Sequence, residues 1–196
     1  MKNWLMLVMV TLIGVSSAQA MPIIYKATLT GAASNTPSPG TGLATLEYDA
    51  TLHTLLVDVS FAGLIGTVSA AHIHCCIPAP GNVGVATTVP TFTGFPSGVT
   101  SGVYNHLLDL SLASSFNPSF VTSSGGAVSS AEMALLSGLN NGSAYFNIHT
   151  AAYAGGEIRG FFAVVPTSGN VPEPATLSLL GLGIASLVIS RRKREI

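Results

Sequence analysis

His72 and His74 flank a single isoleucine in Ala71-His72-Ile73-His74. On a β-strand, residues two apart point to the same face, so the two imidazoles can meet one metal ion, with a third ligand supplied from elsewhere. His149 offers it, at the end of a second strand-like segment, Asn147-Ile148-His149-Thr150. Three imidazoles suit zinc(II) or copper(II). Metal-binding rings need partners that fix their tautomers, and Asn147, Asp109 and Glu157 are the candidates. The alternative is structural, because a half-buried histidine often does no more than donate a ring N–H to a backbone carbonyl. His53 and His106 stand beside polar residues and read as exposed.

The second candidate is Gly155-Gly156-Glu157-Ile158-Arg159-Gly160. Glu157 and Arg159 share one face of a strand, and a bidentate carboxylate–guanidinium pair suits them. The functional alternative is an anion-guiding Arg159 near a metal. The only cysteines, Cys75 and Cys76, are adjacent. A bond between neighbours closes a strained ring and hardly constrains the unfolded chain, so the expectation is two small, partly buried side chains. No Gly-x-Ser-x-Gly, phosphate loop or dinucleotide fingerprint occurs. No catalytic residue is assigned, and the chain reads as non-enzymatic.

The elements that must position these groups are short strands. Residues 23–30, 44–48, 55–61, 68–73, 143–149 and 157–165 alternate or are β-branched, and Gly-rich loops at 31–42, 78–84 and 93–102 separate them. Leu55, Val57, Val59 and Phe61 would line one face. One helix is expected at 129–139, with Ser130 as cap and Met133, Leu135 and Leu136 on its packed face. The pattern predicts an all-β fold, an antiparallel β-sandwich with one short helix.

Residues 21–170 hold two strong bases, Lys26 and Arg159, against six acids, a formal charge of −4. That excludes a nucleic-acid surface, which needs clustered Lys and Arg. The other bases lie at the ends. Residues 1–20 read as a signal peptide for signal peptidase: Lys2, an apolar run from Trp4 to Val15, then Ala18-Gln19-Ala20. At the other end, Val171-Pro172-Glu173-Pro174 precedes an uncharged apolar stretch, 175–190, and the cluster Arg191-Arg192-Lys193-Arg194. The stretch just reaches across a bilayer core as a transmembrane helix, with the basic cluster held on the cytoplasmic side. This end resembles the PEP-CTERM sorting signal. The resemblance implies recognition by an exosortase, removal of the tail near Pro172-Glu173-Pro174, and a cell-surface or extracellular place in biofilm matrix. Exopolysaccharide is the partner that follows from it, with Tyr104, Phe92, Phe95 and Tyr153 as candidate exposed aromatics for glycan contact.

The segments Ala71-His72-Ile73-His74, Tyr145-Phe146-Asn147-Ile148-His149-Thr150 and Gly156-Glu157-Ile158-Arg159-Gly160 resemble the hallmark segments of CHRD domains, first named from chordin. The likeness runs over residues 24–164 and divides the chain into a leader at 1–20, a CHRD domain at 21–168 and a sorting tail at 169–196. It implies an immunoglobulin-like or dismutase-like sandwich. Cys75-Cys76 and Gly94-Phe95-Pro96 depart from the simplest pattern. The histidine layout is also similar to copper–zinc superoxide dismutase, which implies His72, His74 and His149 as copper ligands, Arg159 as anion-steering group, and a dismutase-like redox activity as the alternative function. No bridging histidine or zinc-binding loop follows His74, where the chain reads Cys75-Cys76-Ile77-Pro78-Ala79-Pro80-Gly81. A single-metal site, or a relic without metal, fits that departure better.

Overall fold

The structure, a computed structural model, describes residues 21–166. The expected signal peptide, the Val171–Pro174 motif, the apolar stretch and the basic cluster Arg191–Arg194 lie outside the described residues. Among the described residues, no helix is long and apolar enough to cross a membrane.

Eight strands form one antiparallel sheet: β1 (Ile23–Thr30), β2 (Thr41–Asp49), β3 (Thr54–Ala62), β4 (Val68–Cys75), β5 (Gly102–Asp109), β6 (Ala144–Thr150), β7 (Ile158–Phe161) and β8 (Ala163–Val164). Their order is β4-β6-β7-β1-β2-β3-β5, and β8 pairs with β1 beyond β7. The alternation seen in the sequence sets the faces. Leu55, Val57, Val59 and Phe61 of β3 are buried, as are Ala44, Leu46 and Tyr48 of β2. Each such large apolar side chain contributes about 1.5–3 kcal/mol on leaving water.

The sheet curls, so that its two ends share one core. Phe95 stacks on Phe61 of β3 at 5.7 Å, tilts against Tyr104 of β5 at 5.0 Å and reaches Phe146 of β6 at 6.1 Å. Phe92 fills the same space against Tyr104 and Phe146. The expected all-β sandwich-like architecture is what the chain adopts. The expected helix is α2 (Val128–Asn140), which starts without a side-chain cap, and Ser130 donates instead to the Ala127 carbonyl. A shorter helix, α1 (Pro118–Ser123), precedes it, capped by Asn117 accepting from the Ser119 N–H.

One edge of the sheet shapes the candidate site. Among the described residues β4 has no strand on its outer side, and an open edge of this kind leaves backbone groups unpaired. The long connection from β4 to β5 covers it. Ala86 and Phe92 donate backbone N–H groups to the Ile73 and Ala71 carbonyls, while Thr87 and Thr91 hydroxyls accept from the Ile73 and Ala71 N–H groups. The segment that seals this edge also carries carbonyls over the outer face of β4.

Candidate metal centre

β4 turns Ala71, Ile73 and Cys75 into the core, so His72 and His74 must face outward. β6 buries Ala144, Phe146 and Ile148 in the core, which leaves Tyr145, Asn147 and His149 on the same outer face. The ladder aligns them in rows: His72 lies across from Asn147, Asn147 from Arg159 of β7, and His74 from Tyr145. Covered by the connection, His72 and His74 are buried, while His149 is partly buried.

The three rings converge. Centroid separations are 5.2 Å for His72–His149, 5.6 Å for His74–His149 and 5.9 Å for His72–His74. One ring nitrogen from each lies within 4.8 Å of the other two. Each ring also has one nitrogen engaged by a backbone carbonyl. His72 Nε2 donates to the Pro90 carbonyl at 2.6 Å, His74 Nδ1 to the Val83 carbonyl at 2.8 Å and His149 Nδ1 to the Ala154 carbonyl at 2.8 Å. A carbonyl oxygen only accepts, so each of these nitrogens carries a proton, and this fixes which tautomer the neutral form of each ring takes. The remaining lone pairs sit on His72 Nδ1, His74 Nε2 and His149 Nε2. The first two are buried with no hydrogen-bond partner among the described residues, while Asn147 Nδ2 approaches the third at 3.4 Å.

Burial favours the neutral form of His72 and His74. His72 is pushed below the usual histidine range, mainly by loss of hydration, with the Pro90 carbonyl opposing and His149 reinforcing the shift. Burial likewise lowers His74, to about 4; the Val83 carbonyl opposes this, and His149, His72 and Arg159 add to it. A cavity of about 480 Å³ opens beside the cluster, bounded by His74, Tyr145, Asn147, Tyr153 and Arg159.

Several expectations need correction. Glu157 and Arg159 form no ion pair; among the described residues no Lys or Arg pairs with an acid. Glu157 lies outside β7, in the bend just before Ile158. Its carboxylate instead accepts from Ser38 Oγ at 2.5 Å, Ile65 N at 2.6 Å, Thr150 Oγ1 at 2.7 Å and Gly66 N at 3.0 Å. Arg159 donates to the carbonyls of Ala33, Pro80 and Gly81 and to Asn82 Oδ1. Neither acid proposed to orient the histidines does so. Glu157 is engaged as described, and Asp109 accepts from Ser111. Only Asn147 reaches a histidine, and loop carbonyls do the orienting. Phe92, Phe95 and Tyr104 are core residues, not exposed glycan contacts.

Cys75 and Cys76 are joined in a disulfide, against the expectation of two separate side chains. It lies on the core side of β4, opposite the histidines, against Gly138 of α2. A further network escaped the sequence: exposed His53 and buried Tyr48 both bond the Glu132 carboxylate, at 3.0 and 2.9 Å. Only Glu132's place on an otherwise apolar helix face hinted at it.

A family model described as CHRD domain matches residues 25–162, and one described as PEP-CTERM protein-sorting motif matches residues 170–194. The sorting motif supports export, processing by an exosortase and a cell-surface or extracellular destination. No curated protein and no solved structure matches the chain.

Proposed function

The chain belongs to the CHRD domain family, and from that premise we propose that its exported domain binds one copper or zinc ion between His72, His74 and His149 and serves as a non-enzymatic module of the cell surface or extracellular matrix. The observation that carries the metal reading is the division of labour on the three rings. Each spends one nitrogen on a carbonyl, and the three rings offer ligand nitrogens within 4.8 Å of one another. Purely structural histidines have no reason to leave two buried lone pairs without partners.

The donor set selects the metal class. Three neutral imidazoles favour copper(II) or zinc(II), whereas calcium and magnesium want oxygen ligands. Bonds of about 2.0–2.1 Å place ligand nitrogens at most about 4 Å apart. The observed spread of up to 4.8 Å therefore closes with small ring movements. The second half of the reading rests on the sorting motif.

The test is metal content after loading with each metal in turn, for the purified protein and a His72→Ala/His149→Ala variant. One equivalent in the former and none in the latter is expected. Equal content in both overturns the metal site. Catalytic turnover of superoxide by the copper-loaded protein overturns the non-enzymatic half and leaves a dismutase-like activity in its place.

A further inference from the structure

Arg159 is 6% exposed, yet no acid among the described residues pairs with it. A buried guanidinium is costly unless its N–H groups are satisfied, and here dipoles satisfy it. Four acceptors surround it: the Ala33, Pro80 and Gly81 carbonyls and Asn82 Oδ1. Its planar face lies 5.2 Å from the centroid of the Tyr145 ring.

Those contacts lead to His74 by two routes. Along the chain, Pro80, Gly81 and Asn82 run directly into Val83, whose carbonyl fixes the His74 Nδ1–H. Across the sheet, the Tyr145 ring that carries Arg159 stacks on the His74 ring at 4.8 Å, with planes 7° apart. The routes join, because the Tyr145 hydroxyl donates to the Val83 carbonyl and accepts from the Val83 N–H, each at 3.3 Å. From this geometry we infer that Arg159 is a positioning residue for the metal centre: it clamps residues 80–83 and Tyr145 around His74, and so fixes that ligand's tautomer and ring plane. The inference rests on the metal reading for its consequence, but the clamp exists without the metal.

Arginine suits this task for a physical reason. Its five donors lie in one rigid fork and reach several acceptors at once, while a lysine ammonium is a point charge that cannot span them. Groups that orient metal ligands typically change affinity by about 10–100-fold when removed. An anion receptor makes a different demand, namely N–H groups left free for a ligand. Here most of them are already committed to the protein.

The experiment uses Arg159→Lys, Arg159→Gln and Asn82→Ala, the last of which keeps the buried guanidinium and removes one of its acceptors. Two quantities are read. In metal-free protein, NMR follows exchange of the His74 Hδ1 proton. In copper-loaded protein, chelator competition gives Kd and electron paramagnetic resonance gives the ligand field. Faster Hδ1 exchange is expected in all three variants. Copper affinity should fall about 10–100-fold in both Arg159 variants, less in Asn82→Ala, with a shifted copper spectrum. Folded variants with wild-type exchange, Kd and spectrum overturn the inference. Unchanged copper affinity with weakened azide binding to the bound copper overturns it in favour of an anion receptor. A wild-type protein that takes up no copper defeats the metal reading alone, and the exchange measurement then still decides the clamp.

Discussion

The ring of His149 meets the ring of His72 edge-on, with centroids 5.2 Å apart and planes at 67°. Each of the three rings engages a carbonyl with one nitrogen, and ligand nitrogens of all three lie within 4.8 Å of one another. Such a cluster carries an unmet demand for a donor or a cation, and an ion that binds only the folded state stabilises it by RT ln(1 + [L]/Kd). At a thousandfold excess over Kd that is about 4 kcal/mol, equivalent to a rise in Tm of about 10 °C for a domain of this size. Zinc should produce this shift in differential scanning calorimetry, and a His72→Ala/His149→Ala variant should show none.

Glu157 governs a second prediction. The carboxylate is fully buried. Burial alone would raise its pKa, but hydrogen bonds from Ser38, Gly66, Ile65 and Thr150 more than offset that, and the group lies below the usual glutamate range. The unfolded chain therefore takes up the proton first as pH falls. The stability that Glu157 contributes is complete above its unfolded pKa, near 4.5, and is lost as pH falls through the lower folded value. Glu157→Gln places an amide N–H₂ among four donors. It should cost about 2–4 kcal/mol at neutral pH and flatten the acid limb of stability. Urea midpoints of both proteins between neutral pH and pH 3 check this; parallel acid limbs would count against it.

How far the sequence reveals these features depends on which atoms do the work. The strand at 23–30 and the face Leu55–Val57–Val59–Phe61 were legible, because burial on one side writes a period of two. β5 was not. Val103 and Leu107 are exposed while Tyr104 and Leu108 are buried, so apolar residues occupy both faces and erase the alternation. His72, His74 and His149 could be singled out by residue type and spacing. The Pro90, Val83 and Ala154 carbonyls that aim them could not, since every residue has a carbonyl and only the fold decides which ones point inward. Glu157 and Arg159 show the opposite failure: correct types at a plausible spacing, but Glu157 lies outside β7 and each group bonds to different loops.

Gly138 gives the last prediction. It sits inside α2, where replacing glycine by alanine ordinarily stabilises by about 0.5–1 kcal/mol. Here a Cβ would run into Cys75 Sγ and come within 2.9 Å of Cys76 Sγ. The sulfurs are bonded to each other and Cys75 is buried in the core, so neither can swing aside. Gly138→Ala should therefore destabilise, by about 1–3 kcal/mol as for other overpacked sites. Replacing both cysteines by alanine removes the obstruction, and in that background the same substitution should become neutral or stabilising. A double-mutant cycle by chemical denaturation reads this coupling directly. Additive effects would mean that α2 moves away from β4 more easily than its packing against the disulfide implies.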